Sequence, residues 1–118
     1  MSLRVLIIDD SKLARTLVRK ITEKEGYEVV GEGVDGLDGF KQYQALQPDL
    51  ILCDIEMPKF NGVRLLKKIR ETDKETPFII ISSVANSQLT QEAVSLGATV
   101  IQKPITEKAV IEVLKSVE

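Results

Sequence analysis

Five short apolar runs punctuate this chain: Val5 to Ile8, Val29 with Val30, Leu50 to Cys53, Phe78 to Ile81, and Val100 with Ile101. Most do not alternate apolar with polar residues, which is the pattern of strands covered on both faces. Helical periods fill the intervals. From Ser11 to Glu25, Leu13, Ala14, Leu17, Val18 and Ile21 share one stripe, and Gly26 follows where a left-handed residue closes a helix. Later stripes are Leu37 with Phe40; Val63, Leu65, Leu66 and Ile69; Leu89, Ala93 and Leu96; and Val110, Val113, Leu114 and Val117. Each is first a core-facing stripe. The chain therefore reads as (βα)5, an α/β parallel sheet with right-handed crossovers and helices on both faces. Its 118 residues make one domain, residues 1–118.

Composition narrows the function. With 43% hydrophobic and 29% charged residues the chain fits a soluble globular protein, and no apolar run approaches the length of a membrane span. A cytoplasmic protein without membrane insertion is expected. A net charge of −2, with the basic residues scattered, argues against direct nucleic-acid binding. The single cysteine, Cys53, lies inside an apolar run and reads as a small buried hydrophobe. Histidine is absent, which removes Ser-His-Asp and Cys-His catalysis and any phosphoryl relay through an imidazole of this chain.

In an open parallel sheet the functional crevice lies beyond the carboxyl ends of the strands. Here those ends carry Asp9 and Asp10, Asp54, Ser82 and Ser83, and Gln102, Lys103 and Pro104. Singly, each has an ordinary explanation: Asp10 with Ser11 caps a helix, Asp54 opens a turn, Ser82 and Ser83 begin a loop, Lys103 is a solvated charge. Together they place a carboxylate trio, a hydroxyl and an ammonium on one rim. Close carboxylates repel unless a cation holds them ionised, and oxygen ligands without His or Cys suit Mg²⁺. A carboxylate so held can attack a phosphoryl group while Mg²⁺, Lys and hydroxyl share its charge. Asp54 would then become an acyl phosphate.

The sequence resembles, over its whole length, the receiver domain of two-component response regulators, especially the single-domain chemotaxis type. The resemblance is carried by IIDDS at residues 7–11, DIEMPKFNG at 54–62, IISS at 80–83, GA at 97–98 and KP at 103–104. It implies a flavodoxin-like fold with strand order 2-1-3-4-5. It also implies Asp54 as phosphoacceptor, Ser82 as switch hydroxyl and Lys103 as phosphate-binding lysine. Mg²⁺ would be bound by Asp10, Asp54 and the backbone carbonyl of Glu56, with Asp9 acting largely through water. Pro104 would follow a cis peptide, Met57 and Pro58 would shape the loop, and Gly62 would let it turn into the third helix. A sensor histidine kinase or histidine phosphotransfer protein would donate the phosphoryl group. The α4-β5-α5 side, near residues 84 to 117, would then meet a downstream protein target. The protein would act as a signalling switch that catalyses only its own phosphorylation and dephosphorylation, with Glu56 and Val84 placed to tune lifetime.

Two departures stand out. Val100 occupies the position where the family usually has an aromatic switch residue, and GATVIQKP is one residue short between Gly97 and Lys103. Three other readings compete. A phosphatase of the haloacid dehalogenase type needs a DxD pattern on strand one and room for a cap, neither present. A flavin or nucleotide module needs a phosphate cradle where IDDSK stands. A receiver kept only as a scaffold would leave partner binding indifferent to phosphodonor.

Overall fold

Side chains alternate between the faces of a strand, so a strand apolar at every position must be covered twice. The computed structural model, which describes residues 3–83 and 88–117, meets that demand. Five strands, β1 (Arg4–Ile8), β2 (Glu28–Gly33), β3 (Leu50–Asp54), β4 (Phe78–Ser82) and β5 (Thr99–Gln102), alternate with five helices. The helices are α1 (Lys12–Lys24), α2 (Gly36–Leu46), α3 (Gly62–Arg70), α4 (Gln88–Ser95) and α5 (Glu107–Ser116). All strand pairings are parallel, in the order β2-β1-β3-β4-β5, the doubly wound flavodoxin-like arrangement.

Leu6 and Ile8 of β1, Ile51 and Cys53 of β3, and Phe78 and Ile80 of β4 pack with α3, Ala93 of α4, and Phe40 and Tyr43 of α2. The alternate residues Val5, Ile7, Leu50, Leu52, Ile79 and Ile81 pack with Val18 and Ile21 of α1 and Val110 and Leu114 of α5. β1, β3 and β4 are interior and almost wholly buried, whereas β2 and β5 are edges and only partly so. Truncating a buried Leu or Ile here should cost about 2–5 kcal/mol.

The helix starts are set by local polar chemistry. Ser11, Asp35, Asn61 and Thr106 each accept, through the side chain, the backbone N–H three residues on. Gly26 closes α1 with a φ of 91°, the left-handed conformation expected there. The expected stripe of α3 is buried throughout, but three other stripes differ from expectation. Leu13 is 83% and Leu17 44% exposed, Leu37 54%, and Leu89 38%. On α1 the sheet-facing residues are Val18, Ile21 and Thr22. The helix begins beyond the end of β1, so its first turns overhang the sheet and Leu13 has no strand beneath it. On α2 the buried positions are Gly36 and Gly39: Gly39 lets the helix lie against Ile8 of β1, and Gly36 lets it lie against Phe60. Among the described residues no helix is long and apolar enough to cross a membrane.

Candidate functional site

The chain passes from β1 to β2 on one side and then to β3 on the other, so the connections diverge above the β1–β3 pair. Asp54 is the last residue of β3 and only 3% exposed. Its Oδ1 accepts the Glu56 N–H at 3.2 Å and stands 3.3 Å from Lys103 Nζ. Gly62, the first residue of α3, lies against this strand end: a Cβ there would stand 2.7 Å from the Asp54 carbonyl. Close approach is what requires glycine at that position. The expected turning role falls instead to Lys59, whose φ is 67°.

Asp9 directly follows β1 and is fixed through three groups. Its N–H donates to the Gly33 carbonyl at 3.0 Å, its Oδ1 accepts the Ser11 N–H at 2.8 Å, and its carbonyl accepts Arg15 Nη1 at 2.7 Å. Asp10 is exposed, and the helix cap is Ser11 alone. Asp9, Asp10 and Asp54 nevertheless offer carboxylate oxygens that all lie within 4.8 Å of one another.

Burial is the chief force raising the Asp9 carboxyl above its usual range; the Ser11 N–H opposes it, and neighbouring Asp54 adds to it. Burial likewise raises Asp54, against the pull of the Glu56 N–H and Lys103 and with a further push from Asp10. One ammonium does not offset this crowding. The donor set is all oxygen and anionic, which fits a hard divalent cation such as Mg²⁺. Cys53 beneath it is fully buried, its thiol pushed up by burial and by Asp54 and Asp9, so it serves as packing.

Lys103 reaches the site from the end of β5, where its N–H extends the β4 ladder by donating to the Ser82 carbonyl at 2.7 Å. The Lys103–Pro104 peptide is cis, as expected. Asp9, Asp10, Asp54, Glu56 and Lys103 line an open groove of about 530 Å³, whose remaining walls are Ser11, Leu13, Ala14, Leu17, Pro104 and Ile105. Half of this site is polar and anionic; the other half is an apolar shelf from α1 and the residues after β5.

Ser82 ends β4 beside Asp54, which pairs with Ile81, but it does not line the groove. It is 1% exposed and its Oγ lies 3.2 Å from Oγ1 of Thr90, itself buried in α4. The adjoining Ser83 hydroxyl donates to the Glu56 carboxylate, joining the loops after β3 and β4. Val100 is half-buried and pairs with Ile80; Val84 lies outside the described residues.

Sequence reasoning missed Thr90, the Glu56–Ser83 bond and Arg15, none of which carries a local motif. Arg15 is a bridge. While Nη1 binds the Asp9 carbonyl, Nε reaches Glu32 Oε1 on β2 at 3.0 Å, and Arg19 Nη1 meets the other Glu32 oxygen at 2.6 Å.

Comparison with known proteins agrees with this architecture. The family profile of the response regulator receiver domain matches residues 5–115. The chemotaxis protein CheY of Treponema pallidum is 43% identical over 117 residues, covering 97% of this chain and 81% of that protein. CheY of Thermotoga maritima is 36% identical over 118 residues, covering 99% and 98%. Among solved structures, a CheX-CheY-BeF3-Mg²⁺ complex from Borrelia burgdorferi matches with a TM-score of 0.92 and 32% identity, over 98% of this chain and 88% of that one.

Proposed function

The chain belongs to the response regulator receiver domain family, and on that premise we propose that it is a phosphorylation-controlled switch with Asp54 as its phosphoacceptor. Receiver domains serve two-component phosphoryl-transfer signalling, and the relatives named above are chemotaxis proteins. The observation that carries the residue assignment is the position of Asp54 Oδ1: in an open groove, 3.3 Å from Lys103 Nζ and clustered with Asp9 and Asp10.

The donor is a phosphohistidine on a sensor histidine kinase or histidine phosphotransfer protein, because this chain contains no histidine. An Asp54 carboxylate oxygen attacks phosphorus, the P–N bond breaks, and its electron pair stays with the departing imidazole nitrogen. Lys103 Nζ, already beside Asp54, meets the oxygens of the transferred group. Asp9, Asp10, Asp54 and the Glu56 backbone carbonyl are the residues to hold Mg²⁺, which when bound supplies charge neutralisation for the phosphoryl oxygens. The related Borrelia complex contains Mg²⁺ and BeF3, which supports the same need here. The apolar shelf of Leu13, Leu17 and Ile105 gives a protein donor a surface on which to align its imidazole.

Output follows from the new charge. The Ser82 hydroxyl leaves Thr90 of α4 for the phosphoryl group, changing the α4-β5-α5 surface that a downstream protein reads. Gln88, Gln91, Thr99 and Gln102 are exposed on that side. With Val100 in place of an aromatic, the serine half carries the switch. Glu56, which lines the groove two residues after Asp54 and accepts the Ser83 hydroxyl, tunes phosphoryl lifetime.

Intact mass after incubation with Mg²⁺ and acetyl phosphate tests the reading, beside Asp54→Asn and a chelator. One base-labile phosphoryl adduct, lost in both controls, is expected. Steady hydrolysis of the donor and of simple phosphate monoesters, without an accumulated adduct, would favour a phosphatase. Neither adduct nor hydrolysis would favour a scaffold.

A further inference from the structure

We propose that Arg15 is a positioning residue for the Mg²⁺ site, acting through the backbone of Asp9 rather than by touching metal or phosphate. The inference rests on the functional reading above. Arg15 sits in the first turns of α1, and its side chain is only 11% exposed. Its guanidinium spans two elements: Nη1 donates to the Asp9 carbonyl at 2.7 Å and Nε to Glu32 Oε1 at 3.0 Å. An arginine can do this because its donors are spread on a rigid planar fork; a lysine carries a single point charge.

The consequence is local geometry. The Asp9 N–H is held by Gly33 and its carboxylate by Ser11, so the Arg15 bond to its carbonyl fixes the remaining polar group of that residue. The carbonyl and the following N–H belong to one rigid peptide plane, so fixing it also fixes where Asp10 leaves the strand end. Asp10 is exposed and therefore lacks the packing that holds Asp9 and Asp54. Without Arg15, the outer carboxylate of the cluster is free to swing.

Glu32 has a second part. A guanidinium this near a cation site would weaken it, yet Glu32 faces both Arg15 and Arg19 and neutralises charge where Mg²⁺ would otherwise feel it. The Glu32 carboxyl is held below its usual range, first by the Arg19 hydrogen bond and then by that of Arg15 against burial, so it is ionised at neutral pH. Gln42 Nε2 donates to the Glu32 carbonyl at 2.6 Å and tethers that strand residue to α2. The clamp therefore runs from the site through α1 to the edge strand.

The test is calorimetric titration of Mg²⁺ alone into the full chain, with circular dichroism and melting temperature recorded for each variant. Arg15→Met and Arg15→Lys are expected to weaken Mg²⁺ binding about tenfold or more, the usual cost of losing a group that orients a metal ligand. Glu32→Gln should weaken it in the same direction. Arg19→Met, which removes a Glu32 partner that does not reach Asp9, should leave Mg²⁺ affinity within about twofold while lowering stability slightly. If folded Arg15→Met and Arg15→Lys bind Mg²⁺ as tightly as the wild type, with only the melting temperature lowered, Arg15 is structural and the proposal is overturned. Rescue by Arg15→Lys alone would likewise overturn the bidentate argument, since charge would then suffice. Failure of the wild type to bind Mg²⁺ would instead overturn the functional reading on which the proposal stands.

Discussion

Lys103 Nζ and Asp54 Oδ1 meet at 3.3 Å although one residue follows β5 and the other ends β3, two strands apart in the sheet. The lysine reaches across Ser82, whose carbonyl holds the Lys103 N–H. Its ammonium is thus aimed by the β4 ladder. Removing it should cost transition-state stabilisation while leaving the carboxylate nucleophile intact. Lys103→Ala is expected to slow phosphorylation by acetyl phosphate by about 10². A mass-spectrometric time course at saturating Mg²⁺ measures this, and an unchanged rate would show that the ammonium does not meet the transferred group.

The crowded carboxylates predict a stability gain when charge is removed. Burial raises Asp54 above the ordinary aspartate value of 3.8. Below that value both folded and unfolded chains are protonated and the site exacts no penalty. As pH rises from there towards the folded value, the unfolded chain loses its proton first, so stability falls; above the folded value the penalty is complete and constant. In chelator at pH 7, Asp54→Asn should therefore melt above the wild type. A gain of about 1 kcal/mol corresponds to roughly 4 °C in a domain of this size. The gap should narrow as pH falls towards 3.8, and Mg²⁺ should stabilise the wild type but not the variant. An Asp54→Asn protein that melts lower at pH 7 would mean the Lys103 contact outweighs burial and repulsion.

The groove’s apolar half separates small donors from protein donors. Leu13 is 83% exposed and Leu17 44%, both on the wall beside Asp54. Exposed substitutions of this kind usually change stability by less than about 0.5 kcal/mol. Leu13→Ser and Leu17→Ser, which remove apolar surface without adding charge to the groove, should leave phosphorylation by acetyl phosphate unchanged. Transfer from a phosphorylated histidine phosphotransfer protein should fall about tenfold or more, the effect of losing an apolar anchor worth over ~1.4 kcal/mol at a docking surface. Equal loss with both donors would indicate damage to the site itself, and loss with neither would remove the shelf from the donor interface.

These residues also mark where the sequence was legible. Asp9, Asp10, Asp54 and Lys103 could be placed together because parallel strands deliver their ends to one rim, a consequence of topology that needs no coordinates. The α3 stripe was legible because that helix lies between α2 and α4 over side chains of β1, β3 and β4, so its whole apolar face is covered. Leu13 fits the α1 period equally well, but period says which face a residue is on and not how far the sheet extends beneath it. Gly62 was legible as special, though its reason is the nearby Asp54 carbonyl and not a turn. Arg15 with Glu32, and Ser82 with Thr90, join residues whose partnership is fixed by packing between elements, and neither pair has a local signature.

The Ser82–Thr90 contact sets the last prediction. Both side chains are buried, at 1% and 3% exposure, and their hydroxyl oxygens are 3.2 Å apart. If Ser82 must turn from Thr90 to a phosphoryl group on Asp54, this bond favours the unphosphorylated state and opposes the switch. Thr90→Val keeps the shape and removes the hydroxyl. A buried hydrogen bond is worth about 1 kcal/mol net, which is about fivefold in a two-state equilibrium. With Mg²⁺ and acetyl phosphate at equal Asp54 occupancy, α4 amide resonances of Thr90→Val should lie further towards the phosphorylated limit than those of wild type. Ser82→Ala should stay near the unphosphorylated limit despite full occupancy. Identical α4 shifts in wild type and Thr90→Val would show that Thr90 does not hold the serine back. A full shift in Ser82→Ala would move the switch away from this hydroxyl altogether, to a route that begins with Lys103 and the β5 edge.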